Sequence, residues 1–435
     1  MASQASHASA SQASVSQASV SATPASQTPV SQAPAAPSPA LRPAAAATPR
    51  AAAPEITERD LRLDLFRGIA LWLIFLDHIP SNVVNWITIR NFGFSDATEI
   101  FVFISGYTAA FVYGRAMREQ GTLVASARIL KRAWQVYVAH IFLFAIYTAE
   151  ISHVAHSFEN PLYREEMGIL DFLEQPDVTL VQAMLLKFKP ANMDVLPLYI
   201  VLLAGLPPLL WLLIRRPAVA VALSVALYAA AIGFDWNFPT YPNGHWVFNP
   251  LAWQMLFVFG AWCATSRSRR LAAIVKLPAT AALAAAFLVF AFLVVMTWYF
   301  PTLEALMPGW LQDLIYPIDK TNLSLLRIAH FLSLAVLTVR LVPKDAPALR
   351  SPWLRPAIMC GQHSLEIFCL GVFLSFAAHF AMVEIDPGVG MQVASSLAGI
   401  VAMVATAALL SWYKAVEGRK TRPRPPDTTL AGGGA

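Results

Sequence analysis

The residues able to do chemistry in this 435-residue chain are few, and they are visible because they interrupt long apolar runs. The first run reads Arg62-Leu-Asp-Leu-Phe-Arg67-Gly-Ile-Ala-Leu-Trp-Leu-Ile-Phe-Leu-Asp77-His78. Imidazole titrates near neutral pH, so His78 can accept a proton and return it, and its nitrogen is also a nucleophile. Arg67 stands eleven positions earlier, which on a helix is three turns, about 16 Å, and roughly the same face. Asp77 adjoins His78 but points about 100° away on an ideal helix, which argues against a direct Asp77–His78 dyad. At the start of the second run, Asp96 followed by Glu99 makes an N-terminal capping arrangement. Arg327 and His330 lie three apart and share a face in a later run. A charge inside a bilayer is costly, so Arg327 is expected to face the protein interior. Gln362, His363 and Glu366 recur at helical spacing and are expected on one inward face, whereas His140 and His379 stand alone on apolar helices and read as packing residues. Cys263, Cys360 and Cys369 form no CxxC pair, so no disulfide framework and no metal site is expected.

The elements that carry these residues follow from composition. The chain is 57% hydrophobic and 13% charged, against about 25% charged in an ordinary soluble domain. Its mean hydropathy of +0.54 exceeds what one buried core explains, but lipid accepts apolar faces all round a bundle. The expectation is an all-α, polytopic integral membrane bundle. Ten stretches are long enough to span a core of about 30 Å, allowing flanking residues for the shorter ones: 67–86, 97–114, 134–152, 195–214, 217–234, 250–266, 278–299, 323–342, 357–381 and 391–413. Lys and Arg fall 25 on one side of that segmentation and five on the other, with Arg327 inside a span. The positive-inside rule then puts both termini in the cytoplasm. The net charge of +5 sits in short runs between spans, so it reports topology and gives no nucleic-acid surface.

Residues 1–58, rich in Ala, Ser, Gln and Pro, have no core to bury and no signal-peptide pattern, and are expected to be disordered, as is a short tail over 417–435. The spanning domain is 59–416. The longest connection on the outer side, 153–194, is mostly polar. A second outer segment, Asp235-Trp-Asn-Phe-Pro-Thr-Tyr-Pro-Asn-Gly-His-Trp246, combines rings and amides that suit either sugar contact or the membrane interface. Ser105-Gly106 is expected to allow close helix packing.

Arg-x10-His in the first membrane helix resembles the signature of the membrane acyltransferase-3 superfamily, and Glu99-Ile-Phe-Val-Phe-Ile-Ser105-Gly106-Tyr107 resembles its phenylalanine-rich second helix. More narrowly, Arg62–Ala70, Ile74–Asn82 and Arg90–Glu99 are similar to the OpgC domain family, named for succinylation of osmoregulated periplasmic glucans. Asp194-Val-Leu-Pro-Leu-Tyr199, Asn249-Pro-Leu-Ala-Trp-Gln254, Asp319-Lys-Thr-Asn-Leu323 and Ser364-Leu-Glu-Ile-Phe368 extend that resemblance over about 59–413.

The resemblance implies an O-acyltransferase of the bacterial inner membrane, carrying a succinyl group from cytosolic succinyl-CoA, or another acyl-CoA, to a periplasmic glucan hydroxyl. His78 is then the base or the acyl carrier. Glu99 orients the imidazole or binds substrate, unless it is only a cap. Arg67 suits a coenzyme A phosphate, unless it is a snorkelling anchor. Arg327, with His330, Glu366 and Asp77 as further substrate-side residues, is the expected partner of a succinyl carboxylate, unless it forms a structural ion pair with Glu366 or Glu99. No metal is expected. A transporter or flippase for a polar solute would also bury Arg, Glu and His, although the first two spans have no second copy in the chain.

Overall fold

The structure, a computed structural model, describes residues 60–265 and 269–420. The Ala/Ser/Gln/Pro-rich tail and residues 421–435 lie outside the described residues. Among the described residues every regular element is helical.

Helix α1 (Leu61–Asp77) begins at Asp60, whose side chain accepts from the Arg62 N–H, and ends at His78, whose own N–H closes the last turn on Ile74 and Phe75 carbonyls. The expected first span, 67–86, therefore stops nine residues early. Pro80 explains the stop, because proline disfavours helical geometry in the residue before it. Residues 83–91 form two short 3-10 turns, and the chain re-enters the bundle as α2 (Ala97–Gln120), α3 (Thr122–Ser157), α4 (Leu162–Glu166), α5 (Leu170–Glu174) and α6 (Pro176–Met184). The long outer connection is thus largely helical. It folds back along the bundle, since the Tyr137 hydroxyl on α3 donates to the Met184 carbonyl at 2.9 Å.

The remaining helices are α7 (Val195–Arg215), α8 (Pro217–Gly233), α9 (Pro250–Thr265), α10 (Arg269–Lys276), α11 (Pro278–Tyr299), α12 (Pro301–Glu304), α13 (Gly309–Ile315), α14 (Leu325–Leu341), α15 (Arg355–Gln362), α16 (Ser364–Glu384) and α17 (Val389–Lys420). Proline opens α8, α9 and α11, where its missing N–H would be unpaired anyway. The expected ninth span, 357–381, is interrupted at His363 (φ −116°, ψ 39°), which separates α15 from α16. Helix α17 runs to Lys420, past the expected boundary at 416.

Among the described residues, six helices are long and apolar enough to cross a membrane: α2, α3, α7, α11, α16 and α17. The chain is a membrane protein. Helices α8 and α9 are apolar but shorter, and α1 and α14, with 17 residues each, are interrupted by charged residues, Arg67 among them in α1 and Arg327 in α14.

Two crossings bring backbones into contact and hold the site together. A Cβ on Gly68 would lie 1.8 Å from the Ala357 carbonyl oxygen, and one on Gly361 would lie 1.9 Å from that of Asp64, so α1 and α15 touch backbone to backbone. The same reciprocity joins α2 and α9, where Gly106 meets the Phe257 carbonyl and Gly260 meets that of Phe103. The close packing expected of Ser105-Gly106 is present, and it fixes α2 against α9.

Candidate functional site

The C-terminal end of α1 and the N-terminal end of α2 bring most of the candidate residues to one level of the bundle. His78 is half-buried, and its Nδ1 is enclosed without a hydrogen-bond partner. Nε2 also makes no hydrogen bond to the described residues. The ring borders a narrow apolar crevice lined by Leu71, Ile74, Phe75, Ile367, Phe368 and Gly371. Its backbone is anchored from outside, where Asn192 Nδ2 donates to the His78 carbonyl at 3.1 Å. Asn192 has φ +70°, a left-handed conformation that Asn tolerates better than most residues.

Asp77 points away from the imidazole, as its helix angle requires. It accepts from Thr88 Oγ1 at 2.7 Å and pairs with Arg90 Nε at 3.5 Å, so it organises the turn after α1.

Four charges meet at the start of α2. Asp96 and Glu99 form a complete capping box, with Thr98 N–H donating to Asp96 at 2.7 Å and Asp96 N–H donating to Glu99 Oε2 at 2.9 Å. Arg327 on α14 donates through Nε to Glu99 Oε1 at 2.8 Å and through Nη2 to Asp96 Oδ2 at 3.2 Å. Lys320 Nζ pairs with Asp96 Oδ2 at 2.6 Å. Burial alone would raise the Asp96 pKa, but Lys320 and Arg327 overcome that and hold the carboxyl well below the ordinary range. Glu99 is therefore both a cap and an ion-pair partner, and it makes no hydrogen bond to His78 among the described residues. Of the two partners expected for a structural pair with Arg327, Glu99 is the one found.

His330, one turn after Arg327, accepts at Nδ1 from Ser95 N–H at 3.3 Å and lies 2.7 Å from Ser95 Oγ. A backbone N–H can only donate, so Nδ1 carries no proton and the ring is the Nε2–H tautomer. Gly93 leaves room for it, since a Cβ there would lie 1.8 Å from His330 Nε2.

Lys320 was legible as one of the five basic residues on the outer side and as part of the OpgC-like stretch Asp319–Leu323, with no role assigned, and the fold places it among the charges at the start of α2. Its loop is pinned from α8, from α9 and from the residue before α9: Trp253 Nε1 donates to the Lys320 and Thr321 carbonyls, both at 3.1 Å, Asn249 Nδ2 donates to Asn322 Oδ1 at 2.8 Å, and the Tyr228 hydroxyl donates to the Leu323 carbonyl at 2.9 Å. Asp319 caps the same turn. The charges acting on His78 are those of Lys320, Asp96 and Arg90.

Other expected residues sit elsewhere. Arg67 is 8% exposed and donates to the Ile104 carbonyl at 3.2 Å and Thr108 Oγ1 at 2.6 Å, so it is enclosed between α1 and α2, unlike an interfacial anchor. His363 is buried against Ser411 and Lys414 of α17, but Glu366 is exposed, so the break at His363 sends the two to different surroundings. His140 is buried with neither ring nitrogen hydrogen-bonded among the described residues, so it packs without the satisfied polar contacts expected of it, and His379 lies 3.0 Å from Glu166.

In the outer aromatic segment Trp246 is 3% exposed and lies 4.2 Å from Lys189 Nζ, so it is part of the scaffold. Trp236 and Phe234 stack on each other, are exposed, and are the rings left open. Burial lowers Lys189 to about 8 and raises its neighbour Asp194 to about 6, because both charged forms lose hydration.

With this geometry in view, the family model described as OpgC protein matches residues 59–415, well over half the chain. The chain belongs to the OpgC family. That membership points to a role in the modification of osmoregulated periplasmic glucans and is consistent with a transferase. No curated protein and no solved structure matches the chain. The OpgC match begins within two residues of Leu61, where α1 begins, and ends inside α17, so it covers every element that builds the site.

Proposed function

We propose that this OpgC protein is a membrane O-acyltransferase, of acyltransferase-3 type, that places an acyl group, succinyl from succinyl-CoA, on hydroxyls of a periplasmic glucan across the inner membrane. The observation that carries the reading is His78: a half-buried imidazole at a helix end beside an apolar crevice, with no hydrogen-bond partner among the described residues. It differs from His330, whose Nδ1 accepts from Ser95 N–H, and from His140, which is fully enclosed.

In the proposed step, the glucan hydroxyl gives its proton to His78 Nε2 while its oxygen bonds to the thioester carbonyl carbon. The carbon–sulfur bond then breaks, and the imidazolium returns the proton to the departing coenzyme A sulfur. Arg67 acts as a positioning residue in this scheme, bracing α1 against α2 three turns inward of His78.

The test is mass spectrometry of periplasmic glucans from a strain lacking the gene, complemented with wild type or with His78→Ala. Acyl substituents restored by wild type and not by His78→Ala support the enzyme. Unchanged glucans in the deletion strain defeat the glucan assignment.

A further inference from the structure

We propose that Lys320 receives the free carboxylate of the transferred acyl group and so makes this site prefer a dicarboxylic donor over a neutral one. The inference rests on the acyltransferase reading of the same site. It reverses the sequence-based expectation, which gave that role to Arg327.

The reason is occupancy. Arg327 has only 9% of its side chain exposed, and its Nε and Nη2 already bond Glu99 and Asp96. An incoming carboxylate would have to displace two buried carboxylates, leaving charges without partners. Lys320 has 42% of its side chain exposed and one direct ionic partner, Asp96, which keeps Arg327 if the lysine turns away. An ammonium carries three donors on a flexible stem, so it can hold Asp96 and a second carboxylate together. Lys320 is held at the right place by the Asn249, Trp253 and Tyr228 bonds to its loop, and it lies over the Phe248 ring at 5.2 Å.

Lys320 is also the cation whose charge reaches the most groups of the site, acting on Asp77, His78, Asp96, Glu99 and Asp194. The four carboxylates among these groups are matched by Arg90, Lys189, Lys320 and Arg327. A bound carboxylate adds one negative charge that nothing in the cluster offsets. Protonation of His78 restores neutrality, so the anionic donor favours the charge that develops on the imidazole as it takes the hydroxyl proton. A neutral acyl group supplies no such charge.

The experiment uses the full chain in proteoliposomes, with glucan oligosaccharides purified from the deletion strain and an equimolar mixture of succinyl-CoA and acetyl-CoA. Products are weighed by mass spectrometry. Wild type is expected to prefer succinyl. Lys320→Met is expected to lower the succinyl-to-acetyl ratio by about tenfold or more, as loss of one charge-assisted bond implies, chiefly through KM for succinyl-CoA. Lys320→Arg is expected to retain the preference. Thermal melts of each variant check folding, and Lys320→Gln serves if the methionine variant is not recovered. An unchanged ratio in the folded Lys320→Met or Lys320→Gln variant overturns the inference while leaving acyl transfer intact. Transfer of acetyl alone by wild type overturns it too, and no transfer from either donor defeats the acyltransferase reading itself.

Discussion

The two helix ends that meet at the site are built in opposite ways. The start of α2 has every polar group matched: Asp96 and Glu99 cap the helix, and Arg327 and Lys320 neutralise them. The end of α1, at the same level, leaves an imidazole with no hydrogen-bond partner among the described residues, although Asn192 secures its backbone. Under the proposed function, the satisfied end is scaffold and the half-buried, unsatisfied imidazole is the place for substrate. The contrast also separates two histidines of similar burial potential, since His330 is used by Ser95 and His78 is not.

That contrast ranks substitutions by their effect on stability. Arg327→Met, which strands Glu99 in the interior and leaves Asp96 with Lys320 alone, is expected to cost most, about 3–5 kcal/mol, read as loss of monodisperse protein in size-exclusion chromatography and a large fall in Tm. Next comes Gly93→Ala, whose methyl group meets the His330 ring. Its cost should be about 1–3 kcal/mol, and adding His330→Ala should recover part of it in a double-mutant cycle. Asn192→Gly keeps the left-handed backbone but removes the amide that holds the His78 carbonyl. A loss of about 1 kcal/mol is expected, together with reduced glucan acylation.

A smaller effect concerns pH. Lys189 keeps its proton only up to about pH 8 in the folded chain, whereas an unfolded lysine holds it to about 10.4. Between those values the unfolded state binds more protons, so stability rises with pH. Wild type should therefore gain Tm relative to Lys189→Met as pH goes from 8 to 10, and parallel curves would refute the role given to burial. The smallest effect on stability belongs to His78→Ala, within about 0.5 kcal/mol of wild type, despite loss of acylation. A melt shifted as far as that of Arg327→Met would erase the distinction between the two helix ends.

Much of this was legible in advance. Apolar runs located the helices because lipid-facing and core-facing positions both select apolar residues. Glu99 as a cap and Arg327 in the interior followed from local spacing and from the cost of a charge in lipid. What escaped was any property set by residues distant along the chain. Lys320 looked like an ordinary outer-side lysine until Asn249, Trp253 and Tyr228 placed its loop beside Asp96. Glu366 looked equivalent to His363 until the break at His363 separated them. Trp246 was one of the rings that suited either sugar contact or the membrane interface, and Lys189 covers it.

By itself, the order of residues determined that the chain is a helical membrane protein, that its OpgC domain begins near residue 59, and that Arg67 and His78 share α1, because composition and helical period are local quantities. Which cation is committed and which is open was decided only by the tertiary structure. Arg327 and Lys320 are seven positions apart and chemically alike, but packing closed two carboxylates around the first and left the second at the surface of the same cluster.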